Sequence, residues 1–179
     1  MQNLVPFDTP SHGLWKVECN LVKASQALIF DFLVIKDAGL AWNQVKTQDP
    51  QGFENWGLWE GDVIELFLSR SEGNLPYLEL QLSPFEQKFA LVIEEPRKRF
   101  YYPQACPFQF ESEKSESFWK GKILVKFVDI PGASEKIFYQ ASACLGPTGK
   151  RCYFSSIFNE AGKNELDFHQ PDLFKRLKC

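Results

Sequence analysis

The sequence predicts an all-β chain, an antiparallel β-sandwich of the jelly-roll or immunoglobulin-like kind. Three observations predict it. Hydropathy repeats with period two rather than 3.6. Polar turn signals recur at roughly ten-residue spacing. Only two short stretches, around Asp129-Ile130-Pro131-Gly132 and Pro171-Asp172-Leu173-Phe174, read as helical turns.

The elements follow in order. Leu14–Val22 reads as an early strand, and Ala27–Ile35, rich in Phe, Ile and Leu, as a strand buried on both faces. In Val63–Leu68 the residues Ile64, Leu66 and Leu68 share one face, with Val63, Glu65 and Phe67 on the other. In Tyr77–Ser83 the leucines 78, 80 and 82 alternate with Tyr77, Glu79, Gln81 and Ser83. The loop Arg70–Pro76 contains Ser71, Gly73, Asn74 and Pro76, so these two strands form a hairpin. Lys88–Ile93 follows the Ser83-Pro84 turn and stops before Glu95-Pro96. Lys122–Val128 alternates Lys122, Leu124, Lys126 with Ile123, Val125, Phe127. Lys136–Leu145 and Arg151–Ile157 flank the turn Gly146-Pro147-Thr148-Gly149-Lys150. That makes about seven to nine strands, for which sandwich and barrel are the two closed solutions. Uneven loops and two-sided apolar strands favour the sandwich over a lipocalin-like barrel.

Length and charge bound the rest. At 179 residues, one domain over 1–179 is expected, large enough to hold a core without disulfide or metal. Apolar residues are 44%, charged residues 24%, and the net charge is −3, with no block of five like charges. No nucleic-acid partner is expected from that pattern. The apolar runs are too short to span a bilayer, so no membrane role is expected. The start Met1-Gln2-Asn3, with Pro6 and Asp8, lacks the pattern of a secretory leader, which implies a cytoplasmic setting. Five cysteines, an odd number without CxxC, read as reduced thiols, although Cys144 and Cys152 flank one loop and could approach each other.

Two segments carry a family resemblance. Trp56-Gly57-Leu58-Trp59-Glu60-Gly61-Asp62-Val63-Ile64-Glu65-Leu66-Phe67-Leu68 is followed by Tyr77-Leu78-Glu79-Leu80-Gln81-Leu82-Ser83-Pro84. Together they resemble the family 9 carbohydrate-binding modules and the wider group of DOMON-like domains. Arg151-Cys152-Tyr153-Phe154-Ser155 and Asp167-Phe168-His169-Gln170-Pro171-Asp172-Leu173-Phe174 resemble the closing strand and terminal His-x-Pro element of that group. The resemblance spans about Phe30 to Leu177 and implies a β-sandwich that binds sugar in some branches and haem in others. The haem branch uses Met and His ligands. Here the only Met is Met1 and the only histidines are His12 and His169, so no haem or other cofactor is expected.

In sugar-binding members two aromatic rings sandwich a sugar. The resemblance makes Trp56 or Trp59 one wall and Phe154, near a position where related sequences often carry Trp, the other. Sugar recognition also needs planar polar side chains for hydroxyls. Glu79 and Gln81, with Glu65 and Tyr77, share one hairpin face, which is otherwise an ordinary solvated sheet face. Arg97, in Arg97-Lys98-Arg99, sits in a solvated turn from which its planar fork could reach two adjacent hydroxyls. His169 reads as a structural histidine, Asp62 as a local turn cap, and no metal is expected. The expected function is non-catalytic binding of a mono- or oligosaccharide by Trp56, Trp59, Glu79, Gln81, Arg97 and Phe154. The alternatives are a protein-interaction module or homo-oligomer and, behind it, a glycan-processing enzyme using Glu65 and Glu79.

Overall fold

A computed structural model describes residues 1–6, 12–47, 49, 51–157 and 167–178. Alternation sorts its strands into two antiparallel sheets. The strands are β1 (Gln2–Asn3), β2 (Val5–Pro6), β3 (Trp15–Lys23), β4 (Ala27–Lys36), β5 (Val63–Ser69), β6 (Tyr77–Leu82) and β7 (Lys88–Glu95). Then come β8 (Arg99–Tyr101), β9 (Phe108–Lys114), β10 (Phe118–Lys126), β11 (Phe138–Leu145), β12 (Cys152–Ser155) and β13 (Lys175–Arg176). One sheet runs β1-β3-β4-β10-β9, the other β2-β12-β11-β5-β6-β7-β8, with β13 also on β11. Single turns of 3₁₀ helix include Leu58–Glu60, Phe127–Asp129 and Pro171–Leu173. Among the described residues no helix is long and apolar enough to cross a membrane.

Between the sheets lies the main core. Phe30, Phe32 and Val34 of β4, with Trp119, Ile123 and Val125 of β10, face Leu66, Leu80 and Ala143 across the gap. Phe32 and Trp119 meet edge on, centroids 4.6 Å apart, the favoured arrangement for two ring quadrupoles. The ring of Phe32 lies over Gly121, where an added Cβ would come within 2.7 Å of both that ring and the Glu111 carbonyl oxygen. Gly121→Ala is therefore expected to cost about 2 kcal/mol by overpacking. The midpoint of a thermal melt should fall roughly 4–8 °C, and an unshifted midpoint would refute the close fit.

Two expectations change. The strand read as Lys122–Val128 begins at Phe118 and ends at Lys126, because Gly121 interrupts its apolar pattern and Phe127–Asp129 turns as 3₁₀ helix. Ala27–Ile35 is not buried on both faces: Leu28, Phe30, Phe32 and Val34 are interior, whereas Ile29 and Leu33 are half-buried and Ile35 is exposed. Two-sided burial belongs instead to β5, β6 and most of β7. Their outer face is covered by a second apolar cluster that includes Phe67, Tyr77, Phe89, Leu91 and Phe174. That covered face holds the site.

Candidate functional site

Period two places the floor. While Ile64, Leu66, Leu80 and Leu82 of β5 and β6 enter the core, Glu65, Glu79 and Gln81 are turned to the opposite face. Glu65 is paired with Gln81 across the β5–β6 ladder, and Glu79 with Leu91 across the β6–β7 ladder. The hairpin face is not solvated: Glu65 is 3% exposed, Glu79 4% and Gln81 1%. The Gln81 amide nitrogen donates to Glu65 Oε1 at 2.9 Å and to Glu79 Oε1 at 2.8 Å. Burial, together with the charge of Glu79, pushes the Glu65 carboxyl up to about 8. Burial pushes Glu79 up to about 7 against the opposing bond from Gln81. The Cys144 thiol donates to Glu65 Oε2 at 3.8 Å and is kept protonated by burial.

Aromatic walls rise from this floor. The loop carrying Trp56 is laid along β7, where Phe53 O accepts from Ala90 N at 3.0 Å and Asn55 donates to the Lys88 carbonyl at 3.0 Å. Gly57, at φ +83°, reverses the chain between the two tryptophans in a conformation that suits glycine. Trp56 and Trp59 meet edge to face at 5.0 Å, and Trp56 stacks on Phe100 at 5.4 Å. Trp56 is 57% exposed and Phe100 43%, while Trp59 is partly buried against the second cluster. Tyr153 and Phe168, centroids 6.2 Å apart, also line the groove, which encloses about 890 Å³.

Two polar residues tie the loops of the rim together. Arg151 donates through Nη1 to the carbonyls of Glu60 (3.0 Å) and Gly146 (2.8 Å). Through Nη2 it donates to those of Trp59 and Gly61, both at 2.7 Å. Asp62 accepts the backbone N–H of Asn43 at 2.7 Å and of Gly146 at 2.6 Å, so it joins distant loops rather than capping its own turn. At the far end, Arg97 pairs with Asp167 at 3.0 Å. Asp167 accepts the His169 backbone N–H at 2.9 Å, and the His169 ring shares a 2.7 Å hydrogen bond with the Tyr77 hydroxyl. Burial lowers the His169 pKa and raises that of Tyr77, so both are neutral at pH 7.

Five of the six expected residues, Trp56, Trp59, Glu79, Gln81 and Arg97, come together around this groove. Phe154 does not. It stands opposite Ala143 on β11 and is buried in the inter-sheet core, whereas Tyr153, opposite Cys144, faces the groove. One residue of register separates wall from core. The same alternation sends Cys144 to the groove and Cys152 to the core, so these two do not approach as a pair. Arg151, Tyr153, Cys144 and Phe168 escaped the sequence reading. The one signal for Tyr153 was Arg151-x-Tyr153 alternating with Cys152-x-Phe154. Among the described residues no three His, Cys, Asp or Glu side chains gather as a metal site.

Compared by sequence, the chain matches no family model and no curated protein. Compared by structure, it matches a module of carbohydrate-binding family 9 from Caldicellulosiruptor kristjanssonii, solved in complex with cellotriose. The TM-score is 0.60 and the identity 10%, over 98% of this chain and 80% of that one. This chain carries the fold of a family 9 carbohydrate-binding module. A family 9 module from the same organism, solved in complex with glucose, matches at TM-score 0.56 and 10% identity, over 92% of this chain and 76% of that one. A protein from Bacteroides uniformis ATCC 8492, described as a candidate carbohydrate-binding protein, superposes on the module fold of this chain at TM-score 0.71. Its identity is 14%, over 98% of this chain and 84% of that one.

Proposed function

We propose that the groove binds a mono- or oligosaccharide without transforming it. The observation that carries this reading is a buried floor of two carboxyl groups and one amide beneath partly exposed indole and phenyl rings. Apolar ring faces suit the C–H face of a pyranose, and planar acceptors suit its hydroxyls. Gln81 Oε1 is buried and has no hydrogen-bond partner among the described residues, so a ligand hydroxyl would satisfy it. A volume of about 890 Å³ leaves room for more than one sugar ring. The two neighbouring modules solved with cellotriose and glucose support the same reading.

Hydrolysis is a poorer fit. A glycosidase needs its acid and its nucleophile or base to flank the scissile bond, about 5–10 Å apart. Glu65 and Glu79 rise from the same sheet face, and the Gln81 amide fills the gap between them. A second binding mode has one observation behind it: Trp56, Phe100 and Tyr101 leave exposed aromatic surface at the rim, which suits a protein partner or a second copy.

Intrinsic tryptophan fluorescence, titrated with a millimolar panel of mono- and disaccharides, tests the proposal. A saturable change is expected. Trp59→Ala should weaken it about tenfold or more while leaving the far-ultraviolet dichroism unchanged. No response to any sugar, together with a mass that grows with protein concentration, would transfer the groove to the protein-partner reading.

A further inference from the structure

The groove floor holds two buried carboxyl groups that no cation among the described residues pairs with. Four acids line the groove, Glu60, Glu65, Glu79 and Asp167, against two arginines. Arg97 is engaged by Asp167 at 3.0 Å. Arg151 directs four hydrogen bonds at backbone carbonyls, and its charge acts on Glu65 without pairing with it. His169 is held neutral by burial. No ion pair of the described residues involves Glu65 or Glu79, which share only the one amide between them. Beside them the Gln81 carbonyl oxygen, on a residue 1% exposed, accepts nothing among the described residues. Buried carboxyl groups in this state either keep a proton or wait for a cation. Among the described residues no third His, Cys, Asp or Glu side chain joins the two carboxyl groups to hold a metal ion.

We infer that the ligand brings the cation: the groove selects an amino sugar, whose ammonium group is seated against Glu65, Glu79 and the Gln81 carbonyl oxygen. This rests on the saccharide reading above and narrows it. An ammonium has three N–H donors and no acceptor, which matches a floor made of two carboxyl groups and one unanswered carbonyl. Charge-assisted bonds of this kind are about twice as strong as neutral ones. The rings of Trp59 and Phe89, edge to face with centroids 5.6 Å apart, line the same groove and keep it apolar around the carboxyl groups. An N-acetyl group would replace the charge with an amide and add bulk above a floor that needs neither.

Isothermal titration at pH 7 with glucosamine, galactosamine and mannosamine tests this, each against its parent hexose and its N-acetyl form. At least one amino sugar should bind about tenfold tighter than both of its neutral counterparts. In Glu79→Gln and Glu65→Gln, which keep the shape of the floor, that sugar should fall to the affinity of its parent hexose. Circular dichroism checks that each variant folds. Hexoses binding as tightly as the amines would overturn the ammonium inference and leave the saccharide reading standing. So would a preference that survives both amide variants. No binding by any member of the panel would overturn both.

Discussion

Replacing Arg151 with methionine is expected to loosen the indole wall and to lower stability by about 2–3 kcal/mol, the cost of removing a charged donor from partly buried acceptors. One guanidinium holds the carbonyls of Trp59, Glu60, Gly61 and Gly146, which come from two loops far apart in sequence. Methionine fills much of the same volume and donates nothing, so the carbonyls of Trp59 and Gly61 lose this donor outright, while those of Glu60 and Gly146 keep only the Asn43 amide, at 3.1 and 3.3 Å. A thermal melt should move down by roughly 5–10 °C for a chain of this length. Sugar affinity should fall about tenfold, because Trp59 would no longer be held at one position before the ligand arrives. Arg151→Lys should restore little of either, since one ammonium cannot reproduce a planar fork that serves two loops. A methionine variant that melts within about 1 °C of the parent would show that the four bonds contribute nothing net.

The contrast between Arg151 and the hairpin shows what the sequence could and could not reveal. Val63–Leu68 and Tyr77–Ser83 were legible because period-two alternation is local and the loop between them carries turn residues. The short strands β1, β2, β8 and β13 were not, since two or three residues display no period. Phe108–Lys114 does alternate, but its polar face keeps the apolar count low at the edge of the sheet. The floor residues Glu79 and Gln81 could be named from their shared face. Their burial could not, because it comes from loops around Trp59 and Phe168 that close over the sheet. Arg151 and Asp62 work through backbone groups many residues away, and carbonyls leave no mark on a sequence pattern. Tyr153 against Phe154 is a question of register alone.

Stability should fall as pH rises from about 6.5 to 8.5, and the carboxyl pair should be the reason. Glu65 and Glu79 are pushed up to about 8 and about 7 by burial and, for Glu65, by the charge of its neighbour. In the unfolded chain both release their protons near the ordinary carboxylate value. Between that value and about 8 the native state therefore binds more protons than the unfolded state. The slope of unfolding free energy against pH is then negative: stability is fullest at low pH and is lost as pH climbs through 7 and 8. His169 acts in the opposite sense, since burial keeps it neutral in the native state, but its effect is spent by about pH 6.5. Over the window above that, the unfolding free energy from urea titrations should drop by an amount on the order of 1–3 kcal/mol in the parent. The double variant Glu65→Gln, Glu79→Gln should show little slope, because an amide has no proton to lose. A parent with a flat profile would mean that the pair titrates as in water. The floor would then already be hydrated, and the drive to admit a cationic ligand would be gone.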